Sequence, residues 1–516
     1  MKQFICRKDY PIAETSLGKL RGFQLGSTYI FRGIRYATAK RWEMPEPVKA
    51  WEGIRDALDY GCVCPTMDNN NPPMGELLTP HRFWPQSEDC LSLNIWTQSL
   101  DKTAKKPVMV WLHGGGLETG SSIEHIAYDG ENLSIFGDVV VISVNHRLNI
   151  LGYFDVSSLG EQYSNSANAG IADLVCALQW IHENVTAFGG DPENVTLFGQ
   201  SGGGVKITTL LQTPAANGLF HKGILSSGVF FDLPSRKDPE EVRQFNAGVV
   251  SDMRTYLGNI SVEEFAALPY STLVNAYRAV NKRRMQFSPI PNDYYLGCPP
   301  NIPFTDHANQ IPLMVGSVFG ELNGFPPPRF ERKEMDEETV MAAIVSTYGK
   351  EDAAEILEEF RKAYPDRLSI DAVYVDSFSR PCIIEYIQEK AKGEAPVYSF
   401  LYAYDVALDG GRVPGHCAEI PYVFHNASLI ELCGGSENAE QIENQLASAW
   451  VRFAYSGDPN TSALPKWPAS KPDEEYCMVF DNNAFVGCNH DHKLMELCVK
   501  NAPDIFSILA QLKPEE

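Results

Sequence analysis

The sequence predicts an α/β protein with a large, mostly parallel sheet covered by helices on both faces. Apolar runs of strand length recur along the chain and alternate with stretches of helical periodicity. Continuous apolar strands are typical of parallel sheets, because helices bury both faces. A helix is predicted over 168–186, where Ile171, Leu174 and Leu178 share one face. The predicted strands are 107–112, 139–144, 195–198, 223–226 and 311–315.

The flanking regions differ from this pattern. Short strands and turns at 17–22 and 28–31 indicate a small antiparallel addition to the sheet. Residues 326–395 are rich in helix formers and charge, which predicts a helical insertion or regulatory-type subdomain over the face that carries the functional site. We therefore expect residues 1–516 to form a single domain with excursions. The proline-rich segments predicted as surface loops near a pocket mouth are 65–87, 288–303 and 326–328.

Composition restricts the partners and the compartment. The formal charge is −23 and the pI about 4.9, so the surface repels phosphate backbones and anionic lipid. We expect no nucleic-acid partner. No apolar run reaches the length of a membrane span or a signal peptide, so no membrane anchor is expected either. Twelve cysteines are scattered without a regular framework, which indicates a cytoplasmic protein with mostly free thiols.

Residues 195–205 run from a short strand directly into a glycine-flanked serine. Gly199 and Gly203 flank Ser201 in the pattern Gly-x-Ser-x-Gly, which is typical of the strand-to-helix turn called a nucleophile elbow. That turn strains the serine backbone, so its neighbours must lack bulky side chains. It also places the N–H of Gly202 at a helix N-terminus, where it can face a developing oxyanion. A pattern this short is weak without further machinery.

A second glycine-rich segment provides candidate donors. His113 and the glycines at 114–116 follow the predicted strand that ends at Leu112. Successive glycines at a strand exit let backbone N–H groups approach a ligand closely, as an oxyanion hole requires. A flexible turn explains such a run equally well in isolation. Together with an elbow serine, the run indicates acyl transfer, since a serine hydroxyl needs prearranged donors for the anion it forms.

Longer motifs surround both segments. Residues 188–203, Phe-Gly-Gly-Asp-Pro-Glu-Asn-Val-Thr-Leu-Phe-Gly-Gln-Ser-Gly-Gly, match position by position the serine signature of the type-B carboxylesterase/cholinesterase family, which the chain resembles. Residues 88–96, Glu-Asp-Cys-Leu-Ser-Leu-Asn-Ile-Trp, match a second signature, with Ser92 where the family usually has tyrosine or threonine. The likeness covers roughly residues 15–490, and the chain resembles bacterial para-nitrobenzyl-esterase-like carboxylesterases. Further matches are 145–148, 177–181 and 453–460.

The resemblance implies the α/β-hydrolase fold, with a triad in the chain order serine, acid, histidine. Glu321 lies at the family's spacing from the glycine at a strand end and is the implied acid. His416, within the motif at 410–424, is the implied histidine. His425 and His146 are alternative histidines, but neither lies in a match to the family's histidine motif.

Roles follow from the chemistry of acyl transfer. His416 takes the proton of Ser201 during attack and returns it to the leaving alcohol, while Glu321 holds the imidazole tautomer. Water then hydrolyses the acyl-enzyme on Ser201. The resemblance implies a small-molecule ester substrate, no metal and no organic cofactor. The implied oxyanion donors are Gly115, Gly116 and Gly202.

The resemblance also implies structural pairs. Two ion pairs should lie beside the core, and loss of one buried partner typically costs about 3–5 kcal/mol. Secreted relatives bond the cysteine matching Cys90 to an upstream one, here Cys62 or Cys64, but we expect reduced thiols in a cytoplasmic protein. The implied ion pairs are Arg41 with Glu88 and Arg147 with Asp173.

Two further segments contain residue types found in metal sites or in choline-binding sites. The run 488–492, Cys-Asn-His-Asp-His, contains metal-ligand residue types, but its spacing matches no closed zinc site and predicts a polar loop. Phe83 and Trp84 do not align with the choline-binding tryptophan of cholinesterases, so an acetylcholinesterase is not expected. Aromatic residues that line an acyl or alcohol pocket, or pack in the core, are Phe287, Tyr294, Tyr295, Phe330 and Phe424.

The sequence leaves two alternatives to ester hydrolysis open. The same fold includes adhesion or scaffold proteins that only bind partners, although those typically lose the triad or carry an anchor. Amide, carbamate or thioester hydrolysis uses the same groups. The sequence leaves the oligomeric state open between monomer and homodimer.

Overall fold

The structure is a computed structural model that describes most of the chain. The described residues are 2–67, 80–229, 238–281, 287–293, 295, 304–322, 327–435 and 438–501. Tyr294 and parts of the proline-rich segments 65–87, 288–303 and 326–328 lie outside the described residues.

Strands form one large sheet and two small ones. Within the described residues the large sheet has 12 strands, a second sheet has three and a third has two. The strands are β1 Phe4–Ile5, β2 Ile12–Glu14, β3 Lys19–Arg21, β4 Phe23–Leu25, β5 Thr28–Arg35, β6 Ala37–Thr38, β7 Glu46–Pro47, β8 Ile54–Asp56, β9 Ser92–Thr97, β10 Lys106–Leu112, β11 Val140–Val144, β12 Gly190–Gln200, β13 Lys222–Ser226, β14 Leu313–Val318, β15 Val397–Tyr402, β16 Tyr476–Phe480 and β17 Phe485–Cys488.

The large sheet has the order β1-β4-β5-β9-β11-β10-β12-β13-β14-β15-β16-β17. Neighbouring strands from β11 to β16 pair in parallel, and the strands at both edges pair antiparallel. The chain runs from β10 to β11 on one side and returns to β12 on the other. The carboxyl ends of β10 and β12 therefore flank a switch point, where open α/β sheets bind their ligands.

Helices connect the strands. In the part of the chain that the structure describes, they are α1 Glu131–Gly137, α2 Asn149–Gly152, α3 Ala169–Asn184, α4 Gly202–Leu211, α5 Pro239–Tyr256, α6 Val262–Ala266, α7 Tyr270–Val280, α8 Asp306–Asn309, α9 Arg329–Glu334, α10 Glu337–Tyr348, α11 Ala353–Ala363, α12 Ser379–Lys390, α13 Ile420–Val423, α14 Glu431–Gly434, α15 Ala439–Ser456 and α16 His492–Asn501.

The sheet is buried on both faces. Along β10, Val108 and Val110 point into the core cluster shared with α3, whereas Met109 and Trp111 point into the cluster shared with α15. This alternation follows from the two-residue period of a strand. Every residue of β11 and β13 is also buried, including Lys222 at the start of β13.

The predicted fold class is confirmed. All five predicted strands and the helix over 168–186 exist, and the N-terminal residues supply antiparallel strands at one edge of the sheet. Two differences stand out: β15 and β16 were not predicted, and β12 begins at Gly190 and not at Val195. Asp191, Pro192 and Glu193 interrupt the apolar run there, so periodicity alone misses the start of the strand.

Candidate active site

Ser201 lies at the turn between β12 and α4. Its backbone has φ 55° and ψ −124°, a strained conformation for a residue with a side chain. The turn also brings α4 close to β10, because a Cβ added to Gly203 would lie 1.9 Å from the carbonyl oxygen of Leu112. Glycine is therefore required at 203, and the local geometry is that of a nucleophile elbow.

The glycine loop after β10 lies against this turn. Gly115 and Gly116 are exposed and have φ of 82° and 61°, values that suit glycine. A Cβ added to Gly202 would lie 2.1 Å from the oxygen of Gly116, so the first residue of α4 packs directly on the loop. The first N–H groups of a helix have no partner within it. Two of the predicted oxyanion donors, Gly116 and Gly202, therefore meet beside Ser201, and Gly115 directly precedes Gly116.

Glu321 and His416 are joined by side chain and main chain. Nδ1 of His416 hydrogen-bonds Oε2 of Glu321, and the His416 N–H donates to the Glu321 carbonyl over 2.9 Å. The other carboxylate oxygen accepts from the Val318 N–H over 2.7 Å and from Oγ of Ser227 over 2.5 Å. Three contacts thus fix a carboxylate that is almost fully buried and a fourth holds its main chain, while the imidazole stays 28% exposed.

Charge on the surrounding carboxylates sets the basicity of His416. Burial disfavours the imidazolium form, but the neighbouring Glu321 carboxylate outweighs it, with smaller contributions from Glu419 and Asp376, and raises the pKa of His416 above its ordinary value. The geometry therefore favours a histidine that accepts a proton and is stabilised once it has done so.

Gln200 connects the imidazole to the serine turn. Its Nε2 lies 3.3 Å from both ring nitrogens of His416, and its Oε1 accepts from Sγ of Cys417 over 3.2 Å. No prediction from the sequence included Gln200. The available signal was its position directly before Ser201 at the carboxyl end of β12.

Ser226 and Ser227, at the end of β13, were missed as well. Ser227 contacts Glu321, as described above, and Oγ of Ser226 hydrogen-bonds Glu419. Burial raises the pKa of Glu419 to about 7. Parallel strands bring their carboxyl ends to one edge, so polar residues ending the strand beside β12 were a usable signal.

Asp376 is a third buried carboxyl group beside the site. It accepts hydrogen bonds from the backbone N–H groups of Phe378, Ser379 and Arg380, at the start of α12. Burial, together with the charge of Glu321, raises the pKa of Asp376 to about 7. Nothing in the local sequence marks this residue, because only the packing of α12 brings it near Glu321.

Behind the glycine loop at 114–116 lies a buried lysine. Nζ of Lys206, on α4, donates to the carbonyl of His113 over 2.8 Å and interacts with the charge of Glu124. Burial lowers the pKa of Lys206 to about 7 and raises that of Glu124 to about 8. His146 packs on His113 with ring centroids 5.0 Å apart, and burial lowers the pKa of both imidazoles.

His425, the other alternative to His416, contacts a different part of the molecule. His425 stacks on Phe136 with ring centroids 4.4 Å apart, and its Nε2 lies 3.2 Å from Oδ1 of Asn444. It therefore packs beside α1 and α15. Of the three histidines considered, His416 is the one bonded to Glu321.

Both implied ion pairs are present. Nε and Nη2 of Arg147 donate to Asp173 over 2.8 and 2.6 Å, in a fully buried fork. Nε of Arg41 donates to Glu88 over 2.9 Å. The thiols of Cys62, Cys64 and Cys90 are free, and Sγ of Cys64 accepts from the Leu148 N–H over 3.2 Å.

The predicted polar loop at 488–492 is confirmed over 489–491, which form the turn between β17 and α16. Asp491 is buried and accepts from Nε and Nη2 of Arg380, each over 2.8 Å. His492 begins α16 and hydrogen-bonds Glu475 over 2.7 Å. The polar residues pair inside the molecule with partners from distant segments, which local composition does not reveal.

The aromatic candidates have different surroundings. Phe424 is fully buried against Trp111 and Phe198, so it belongs to the core. Phe330 is 57% exposed. Phe287 stacks on Tyr277 with ring centroids 5.6 Å apart.

The fold agrees with the comparisons to known proteins. The profile of the carboxylesterase family matches residues 9–497, and the chain belongs to that family. It is therefore a carboxylic ester hydrolase of the α/β-hydrolase fold, which acts on small ester substrates.

Individual relatives are similar over nearly their full length. Para-nitrobenzyl esterase of Bacillus subtilis is 30% identical over 488 residues, covering 92% of this chain and 95% of the relative. Phenmedipham hydrolase of Pseudarthrobacter oxydans is 32% identical over 498 residues, covering 91% and 94%. The structure of an esterase from Clostridium hathewayi, described as able to hydrolyse aliphatic aromatic polyesters, superimposes with a TM-score of 0.91 and 44% identity, covering 97% of this chain and 100% of that one.

Among the described residues, no helix combines the length and the apolar character needed to cross a membrane.

Proposed function

We propose that Ser201, His416 and Glu321 form the catalytic triad of this ester hydrolase, with Ser201 as the nucleophile. The observation that carries the proposal is the Glu321–His416 hydrogen bond, directly beside the turn that holds Ser201 at φ 55°. Gln200, the neighbour of Ser201, contacts the same imidazole. Membership of the carboxylesterase family supports the reaction type.

The proposed reaction has two halves. His416 takes the proton of Ser201 as the hydroxyl attacks the ester carbonyl, and gives it to the leaving alcohol. Water then attacks the acyl-enzyme in the same way and releases the acid. Glu321 keeps Nδ1 of His416 protonated and stabilises the imidazolium. Its fixed contacts to Val318 and Ser227 support this orienting role.

The N–H groups of Gly115, Gly116 and Gly202 are the proposed oxyanion hole. The packing of Gly202 on Gly116 supports this assignment, since it brings donors from two segments to one point. Each such donor contributes roughly 3 kcal/mol of transition-state stabilisation.

The proposed substrates are small to medium carboxylic esters. The relatives include a para-nitrobenzyl esterase and the polyester-hydrolysing esterase, so aromatic esters belong in any substrate panel. Amide, carbamate and thioester hydrolysis would use the same groups.

We also propose that residues 1–516 form one domain, in which α9–α12 are an insertion between β14 and β15. The pairing of these two strands in one continuous sheet supports this view. The buried free thiols of Cys64 and Cys90 favour a reducing compartment, and we propose the cytoplasm.

The test is a series of p-nitrophenyl esters of increasing acyl length, measured on the wild type and on Ser201→Ala. We expect kcat to fall about 10⁴-fold or more in the variant, with the fold intact by circular dichroism. A rapid burst of p-nitrophenol equal to the enzyme concentration marks the acyl-enzyme in the wild type.

Ser164→Ala is the matched control, because Ser164 lies on an exposed turn. It should keep wild-type turnover. Near-normal activity of Ser201→Ala contradicts the assignment, and absence of turnover on every ester favours the non-catalytic alternative.

A further inference from the structure

Three potential metal ligands, His81, Glu124 and His125, lie together outside the proposed triad. One ligand atom from each lies within 4.8 Å of the other two. Nε2 of His125 is 3.8 Å from Oε1 of Glu124, and the two imidazole centroids are 4.1 Å apart. Ligand atoms of one tetrahedral zinc ion, with bonds of about 2.0–2.2 Å, stand roughly 3–4 Å apart. The three side chains are therefore spaced almost as an ion requires.

The main chain holds the two ligand-bearing segments together. Residues 81 and 125 form an antiparallel bridge, and the N–H of Arg82 donates to the Glu124 carbonyl over 2.6 Å. Nε1 of Trp84 donates to the carbonyl of Ile123 over 2.9 Å. Ligands on a fixed backbone lose little entropy on binding, so the arrangement is preorganised for an ion.

We propose that His81, Glu124 and His125 bind one zinc ion. Two imidazoles and one carboxylate form a donor set that zinc uses, with the fourth position left to water or another small ligand. His125 is buried and the other two side chains are partly exposed, so an ion can enter from one side. Lys206 interacts with Glu124 from within the protein, so the ion and the lysine share this carboxylate.

The site adjoins the oxyanion loop. A Cβ added to Gly120 would lie 2.7 Å from Nδ1 of His113 and 3.2 Å from Oε1 of Glu124. Gly120 therefore lies between the proposed ion and the loop that carries Gly115 and Gly116. A bound ion would join residues 80–85 to this loop without taking part in acyl transfer, so the inference does not depend on the triad.

A second group, Glu475, Asp491 and His492, satisfies the same proximity criterion. Its two carboxylates are already bridged by the guanidinium of Arg380, at 2.7–2.8 Å. A cation in that position has to displace the arginine. This cluster therefore provides a matched control within the chain.

The test is a zinc titration of the tag-free, full-length protein after dialysis against a chelator, with a chromophoric zinc indicator as competitor. We expect one equivalent to bind to the wild type and to His492→Asn. His81→Ala and Glu124→Gln should each weaken binding at least tenfold, with circular dichroism unchanged. Cobalt(II) titration checks the site independently, because imidazole-bound tetrahedral cobalt has a visible spectrum that the two variants should lose.

Thermal unfolding gives a readout that does not depend on the indicator. A ligand that binds only the folded state raises the unfolding temperature with its concentration, so zinc should stabilise the wild type and His492→Asn but not Glu124→Gln. The proposal is overturned if the wild type binds no stoichiometric zinc. It is also overturned if His81→Ala and Glu124→Gln keep wild-type affinity, or if His492→Asn alone abolishes binding.

Discussion

Nζ of Lys206 donates a hydrogen bond of 2.8 Å to the main-chain carbonyl of His113, and both residues are buried. Lys206 belongs to the helix that begins directly after Ser201, and His113 directly precedes the glycine loop. The contact therefore joins the two segments that carry the proposed oxyanion donors. Lysine is almost never fully buried without a partner, so the bond has a specific role in holding this loop.

Lys206→Met should lower kcat about tenfold and leave KM within about twofold. Methionine keeps the length of the side chain but cannot donate to His113, so the glycine loop loses a support that matters most when an oxyanion forms. A tenfold loss corresponds to about 1.4 kcal/mol, within the range of about 0.5–1.5 kcal/mol for the net contribution of one hydrogen bond. Steady-state kinetics with p-nitrophenyl butyrate measures the effect.

A transition-state analogue separates positioning from general destabilisation. A trifluoromethyl ketone forms an anionic adduct on the serine, so its affinity should fall in parallel with kcat in Lys206→Met. If kcat and thermal stability both fell in Lys206→Met while the affinity for the ketone stayed unchanged, the positioning role would be contradicted.

The midpoint of the acid limb in the pH profile of kcat/KM should lie above pH 6.5. His416 must be neutral to accept the serine proton, and Glu321 raises the pKa of the imidazole despite its burial. The kcat/KM value should therefore rise with pH through a midpoint above the ordinary histidine value of about 6.5. Because Glu321→Gln removes the charge that favours imidazolium, the midpoint should move to lower pH, and kcat should fall roughly 10³–10⁴-fold.

Glu334→Gln serves as the control for that experiment, since Glu334 is an exposed carboxylate at the end of α9. Its profile should match the wild type. A Glu321→Gln midpoint at or above that of the wild type would show that another group sets the basicity of His416.

Gly203→Ala should abolish activity and strongly reduce the yield of folded protein. The added methyl group would lie 1.9 Å from the oxygen of Leu112, and neither backbone can yield without separating α4 from β10. Gly248→Ala is the matched control, since Gly248 lies within α5 with open space at its Cβ position. Alanine is favoured over glycine in a helix interior by about 0.5–1 kcal/mol, so this variant should be slightly more stable. Soluble expression, circular dichroism and denaturant midpoints compare the two.

The sequence was sufficient to predict the parts of the candidate site that are formed by contiguous residues. The turn at Ser201 and the loop at Gly115 and Gly116 are contiguous motifs whose backbone requirements are visible as glycines. The strands β10 to β14 were equally visible, because parallel strands buried on both faces are apolar runs, whereas β15 and β16 were not predicted.

The residues that the sequence did not reveal are those whose role depends on tertiary contacts. Asp376 approaches Glu321 only because α12 packs against β14 and β15. Lys206 looks like one ordinary lysine in a helix until β10 brings His113 to its ammonium group. Asp491 pairs with a residue 111 positions away, a distance over which local composition carries no signal.

Arg380 should be among the most sensitive positions for stability. Its guanidinium donates to both oxygens of Glu475 over 2.7 Å and to both oxygens of Asp491 over 2.8 Å. Arg380→Met leaves two buried carboxylates without their cation, which should lower the free energy of unfolding by about 3–5 kcal/mol at pH 7. Lys392→Met, which removes an exposed pair with Glu389, should change it little.

The pH dependence distinguishes loss of charge pairing from loss of packing. Burial alone raises the pKa of Glu475, but Arg380 outweighs it and lowers the value to about 2, below the ordinary glutamate value of about 4.3. In the wild type this pairing therefore stabilises the fold above about pH 4.3, and the contribution is lost as the pH falls toward 2. In Arg380→Met the guanidinium no longer opposes burial, and for Glu475 the contact with His492 remains, so the carboxyl groups take up protons more readily in the folded state than in the wild type. The difference in the free energy of unfolding between variant and wild type, measured in urea, should consequently be smaller at pH 5 than at pH 7. A difference independent of pH would assign the loss to packing of the arginine side chain.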